Sequence, residues 1–153
     1  MEKEIKDLRL HIDGLAQLIT NIEDSDEVLA CKDSLFFSKA WLGKCLGALG
    51  TPSPYPKDGE RKSVADIEPT ADTVSHDVTK TATGWEEKNN IEKIDWLRQE
   101  IGNILKEDYL ISDAYRPVSR TEAIARTNAY TELCEARFWL GFALEAIKKE
   151  HEK

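Results

Sequence analysis

The chain carries one helical pattern twice. Residues 35–49 read LFFSKAWLGKCLGAL and residues 133–147 read LCEARFWLGFALEAI. The register is constant: Leu35 with Leu133, Trp41 with Trp139, Leu42 with Leu140, Gly43 with Gly141, Leu46 with Leu144 and Ala48 with Ala146. Upstream, Ile5, Leu8, Arg9 and Ile12 recur as Ile94, Leu97, Arg98 and Ile101. Each half therefore runs as a short helix, a loop and a longer helix. A repeat of this kind limits the architecture, because each unit buries its apolar face against its neighbour. The expected fold is all-α: two tandem helical hairpins, residues 1–50 and 91–153, forming a helical bundle. A long Pro/Thr/Ser-rich linker, residues 51–90, joins them. No catalytic cluster is repeated or completed along with the hairpin, which favours a binding scaffold over an enzyme.

Periodicity places the elements. Ile5, Leu8, Ile12, Leu15, Ile19 and Ile22 recur every three or four residues and make one apolar stripe over residues 3–22. Asp24 followed by Glu27 resembles a capping box, opening a second helix over residues 26–49. Gly50 and Pro52 stop it. The segment from Thr51 holds four of the five prolines and shows no sustained period, so it reads as a linker. Val64, Ile67, Val74 and Val78 are the residues that could pin it to the helices. Ile94, Leu97, Ile101, Ile104 and Leu105 mark a third helix over 88–108. The run Ser119, Arg120, Thr121, Glu122 is a capping box, so the fourth helix starts there and reaches about residue 150. At 1.5 Å per residue that helix is roughly 45 Å long against roughly 30 Å for the third. Its first turns should overshoot their hairpin mate.

Composition narrows the function. The net charge is −8. DNA affinity comes largely from neutralising phosphates with Lys and Arg, so this chain is a poor candidate for binding nucleic-acid polymers. An anionic membrane surface is disfavoured for the same reason, and no apolar run approaches the ~18 residues of a spanning helix. The start, MEKEIKDLR, has no signal-peptide character. Cys31, Cys45 and Cys134 form no CxxC pair and read as reduced, packed thiols of a cytoplasmic protein. His11, His76 and His151 are far apart in sequence, which leaves no ligand set for a metal, and no cofactor is implied.

One stretch is basic. Residues 114–131 contain Arg116, Arg120 and Arg126 against a single acid, Glu122. Arg137 follows Arg126 by about three helical turns and shares its face. Arg126 falls near the meridian of Leu133, so it should extend the core stripe beyond the hairpin and face a pocket or an adjoining subunit. Arginine presents a planar, bidentate fork to phosphate. Tyr115 and Tyr130 offer rings on which a base can stack, with Asn128 and Thr131 as hydrogen-bonding groups. The same arginines could instead pair with carboxylates between subunits. Trp41 and Trp139 flank the apolar stripes and read as core or interface residues. Gly43 and Gly141 would let helices approach closely, since glycine inside a helix otherwise costs stability.

The segment ARTNAYTELCEARFWLGFALEAI resembles the hairpin domain of phage proteins that counter CBASS and Thoeris immunity. The pattern T-x-L-x-x-A-[RK]-x-W falls on Thr131, Leu133, Ala136, Arg137 and Trp139. The first copy keeps Leu35, Lys39 and Trp41, with Ser38 in place of the alanine. The resemblance implies a sponge that oligomerises, often as a hexamer, and sequesters a cyclic di- or trinucleotide or a cyclic ADP-ribose isomer without degrading it. It also implies the cytoplasm of an infected bacterium. A duplicated chain could reach the same arrangement as a trimer. Only the second copy carries the arginine-bearing extension. Two other readings stay open. One is a structural or partner-binding helical protein with no small ligand. The other is a magnesium-dependent nucleotide pyrophosphohydrolase, for which Glu132-x-x-Glu135 supplies half of the required carboxylate spacing while a partnered E-x-x-D is missing.

Overall fold

A computed structural model describes residues 1–50, 84–112 and 114–151. The expected linker, with its four apolar pins, lies outside these residues from 51 to 83, as does Asp113. Among the described residues every regular element is helical: α1 (Glu2–Ile19), α2 (Asp26–Ala48), a 3-10 turn (Trp85–Glu87), α3 (Asn90–Ile104), α4 (Asp108–Ile111) and α5 (Arg120–His151).

The apolar stripe of α1 is buried as its spacing requires: Ile5, Leu8, Ile12, Leu15 and Ile19 are all inside. Ile94, Leu97, Ile101 and Ile104 do the same on α3. Each such side chain contributes about 1.5–3 kcal/mol on leaving water. The helix starts are fixed by side chains. Ser25 caps α2, its hydroxyl accepting from the Val28 N–H at 3.2 Å. The cap is thus one residue later than the Asp24 expected from sequence. Asn89 and Glu92 form a complete capping box on α3, with bonds of 2.9 and 3.4 Å. Gly50, at φ +83°, takes the left-handed conformation that ends α2.

The longest shared interface joins α2 to α5. They run antiparallel: Cys45, near the end of α2, touches the Glu122 carbonyl near the start of α5. Small residues line this seam; Ser34, Ser38, Ala125, Ala129, Ala136 and Ala143 are all buried. α1 lies along α2, tied by Lys39 to Asp13 at 2.7 Å. α3 lies along α5, and α1 meets α3 through His11 and Glu100 at 3.1 Å. The described residues include a stretch ahead of the expected boundary at 91: Trp85 is buried and packs edge-to-face on Trp96, at 5.6 Å between ring centroids.

The thiols differ in burial. Cys31 and Cys45 are fully buried, while Cys134 is half-buried. Burial pushes the Cys31 thiol up to about 12. A raised folded value adds stability at low pH that is lost as pH climbs toward that figure. Because the thiolate is the nucleophile, alkylation of the native protein near pH 8 should modify Cys134 alone. All three should react after denaturation, and peptide mass spectrometry reads the difference.

Candidate ligand-binding site

Arg126 is at the centre of a buried polar cluster. Its Nε donates to Glu122 Oε1 at 3.0 Å, and a second guanidinium nitrogen pairs with the same oxygen. The remaining nitrogen donates to the Tyr115 carbonyl, and Met1 Sδ stands 3.6 Å from the second nitrogen, the one paired with Glu122. The guanidinium also lies over the Tyr109 ring, 4.2 Å from its centroid. Tyr109 donates its hydroxyl to Glu122 Oε1 at 2.6 Å and meets Tyr115 edge-to-face. Burial, then Cys45 and Glu122, raises the Tyr109 phenol well above its ordinary range, so it remains a donor. For Arg126, burial works against the charge, but Glu122 and Tyr109 outweigh it and the net shift is upward.

This corrects the expectation that Arg126 faces a pocket or another subunit. The first turns of α5 do overshoot α3, but α2 runs antiparallel beside them and α4 also packs on them through Tyr109. Arg126 is only 9% exposed. The Ser119 capping box is half-formed: Ser119 Oγ accepts from the Glu122 N–H at 3.1 Å, while the Glu122 carboxylate turns inward to Arg126 and Tyr109. The i, i+4 spacing of Glu122 and Arg126 was the available signal for that pair. Nothing in the sequence pointed to Tyr109.

The other candidates are distributed along α5 and the loop before it. Arg116 and Arg120 are exposed. The Arg126 bond to the Tyr115 carbonyl anchors the residue just before Arg116. Tyr115, Asn128 and Tyr130 are half-buried. Thr131 is exposed, with its hydroxyl donating back to the Thr127 carbonyl at 3.0 Å. Arg137 is exposed and lies across α3: a Cβ placed on Gly102 would be 3.7 Å from its Nε. Arg98 returns the contact from α3, with a Cβ on Gly141 3.6 Å from its guanidinium. Gly141 therefore makes room for a guanidinium instead of a neighbouring helix, and Gly43 is buried in α2. Seventeen residues separate Arg120 from Arg137, roughly 25 Å of helix, so one copy of the chain does not bring them into a single pocket.

Charge separates the two ends of the molecule. A groove of about 600 Å³ opens at the far end from Arg126, between the starts of α2 and α3 and the end of α5. Glu23, Asp24, Glu27 and Glu150 line it, which makes it unsuitable for an anion. The chain matches no known family, no curated protein and no solved structure. Glu132 is half-buried, and burial followed by the neighbouring Glu135 raises its carboxyl above the usual range. Among the described residues no three of His, Cys, Asp and Glu gather as a metal-binding group. No described helix is long and apolar enough to cross a membrane.

Proposed function

We propose that the protein is a non-catalytic sponge for an anionic nucleotide signal, a cyclic di- or trinucleotide or a cyclic ADP-ribose isomer. One observation carries this reading. In a chain of net charge −8, the guanidinium groups of Arg116, Arg120 and Arg137 have no carboxylate at salt-bridge distance among the described residues. Carboxylates are in excess, yet none of the described ones neutralises these arginines, which suits phosphate ligation. Arg126 acts as a positioning residue that ties down the loop bearing Arg116. The tandem-hairpin arrangement belongs to the same reading: α1 with α2, and α3 with α5, pair at matching repeat positions. The span from Arg120 to Arg137 calls for a second copy to complete a shared pocket, in a trimer or hexamer.

The test is a melting-temperature panel of cyclic oligonucleotides and cyclic ADP-ribose isomers. A ligand present at a hundred times its Kd stabilises the native state by about 2.7 kcal/mol. The Arg116→Ala/Arg120→Ala double variant should lose most of that shift. The ligand recovered after denaturation should be intact. A monomeric mass by light scattering, or no shift with any panel member, overturns the reading.

A second reading is a partner-binding helical protein. It is favoured by apolar side chains left on the surface: Phe36 and Phe138 are 67% and 68% exposed, and Phe142 is 50% exposed beside Trp139. Loss of partner capture in a Phe138→Ser/Phe142→Ser variant, with ligand binding unchanged, would support it.

A further inference from the structure

Of the charged positions at which the two halves of the chain differ, one pair has a consequence visible in the structure. In the first half, Lys39 of α2 reaches across to Asp13 of α1 and is neutralised at 2.7 Å. The repeat register maps Lys39 onto Arg137 and Asp13 onto Gly102. Arg137 lies over Gly102 as Lys39 lies over Asp13, but glycine offers no carboxyl group to meet it. Beside it, Arg98 lies over Gly141, with its Nε buried and unbonded. Among the described residues no carboxylate comes within salt-bridge distance of either arginine. The groove between α3 and α5 thus presents two guanidinium groups, each held flat over a glycine of the opposite helix. Tyr130 and Cys134 continue the same side of α5, two turns and one turn before Arg137 respectively. Burial raises the Cys134 thiol, with Tyr130 and Arg137 drawing it back down.

We propose that Arg98 and Arg137 form an oxyanion seat in the α3–α5 groove, in which a phosphate group takes the place that the Asp13 carboxylate fills in the first half. Two adjacent guanidinium forks favour a phosphate or pyrophosphate group over a single carboxylate. The glycines keep the floor low enough for the anion to approach both forks. The first half has no such seat, because Asp13 already occupies it. This sharpens the sequestration reading and rests on it only for the identity of the natural ligand.

The test uses inorganic pyrophosphate and the full chain at constant ionic strength, followed by amide NMR. Saturable shifts are expected at Gly102 and Gly141, with none of comparable size at Asp13 or Gly43. Gly102→Asp restores the carboxylate of the first half. A Cβ at this position meets Arg137 at ordinary contact distance, and replacing glycine within a helix is favourable, so the variant should melt no lower than wild type. It should bind pyrophosphate at least ten-fold more weakly. Arg137→Gln, which leaves α3 untouched, should weaken binding similarly. The converse variant, Asp13→Gly, should create a new set of shifts around Lys39. Wild-type affinity in both Gly102→Asp and Arg137→Gln overturns the proposal, as do shifts that bypass Gly102 and Gly141. A panel nucleotide that stabilises wild type and Gly102→Asp equally would refute this seat and leave sequestration standing. Pyrophosphate shifts at Gly102, with no panel nucleotide raising the melting temperature, would support the seat and refute the sponge.

Discussion

Glu122→Ala should lower stability by about 3–5 kcal/mol, because it leaves a buried cation without its counter-ion. In a domain of this size that is a fall in melting temperature on the order of 10 °C. Glu122 Oε1 receives Arg126 and Tyr109 together, and alanine leaves all of those donors without an acceptor. The Tyr115 carbonyl remains for Arg126, but a neutral carbonyl cannot offset a full charge at a site that water barely reaches. Glu122→Gln separates charge from shape. It keeps one oxygen for the Tyr109 hydroxyl yet removes the negative charge, and its new N–H₂ group would enter the place of Oε2, which has no partner. It should fall between wild type and alanine. Glu122→Leu/Arg126→Met removes both charges and should recover most of the loss, since well-packed apolar replacements of buried ion pairs are often neutral. Urea denaturation followed by helical circular dichroism measures all three. An alanine variant within about 1 kcal/mol of wild type would mean that water reaches Arg126, and the cluster would then not hold the loop of Arg116 in place.

The contrast between the legible and the hidden parts of the fold has a physical basis. The stripes of α1 and α3 could be read because burial on one face of a helix imposes a period of three to four residues. Pairing between helices imposes no such period. That α2 would lie against the first turns of α5 is decided by small side chains, Ser34 and Ser38 against Ala125, Ala129 and Ala136, whose role shows only once both helices are placed. Arg126 therefore lies inside the bundle, where helix pairing and not periodicity puts it, although its spacing from Glu122 is the ordinary one for an intrahelical pair. Arg137 was legible as a candidate, while its companion Arg98 was not. The two meet through glycines on opposite helices, and residues without side chains leave no pattern in hydropathy. Lys39 and Asp13 held the missing comparison, since the repeat placed them opposite Arg137 and Gly102.

Leu35→Ala and Leu133→Ala should each cost about 2–5 kcal/mol, the range for a fully buried leucine whose cavity collapses only partly. Both side chains are 0% exposed and occupy the same repeat position. If the duplication preserves the energetics of the core as well as the pattern, the two losses should agree within about 1 kcal/mol, a difference smaller than the spread seen among unrelated leucine sites. The preceding residues, Ser34 and Glu132, face each other closely enough for the serine to draw down the Glu132 carboxyl against the larger effects of burial and Glu135, which places the leucines at one level of the α2–α5 seam. Neighbours at one level share a cavity, so the double variant should depart from additivity by roughly 0.5–3 kcal/mol. Denaturant titration of the two single variants and the double variant completes the cycle. Additive losses would place the leucines in separate cores, with α2 and α5 meeting only through their small residues. A non-additive loss would make the seam a shared core, in which a ligand drawn to α5 also bears on the helix pair formed by α1 and α2.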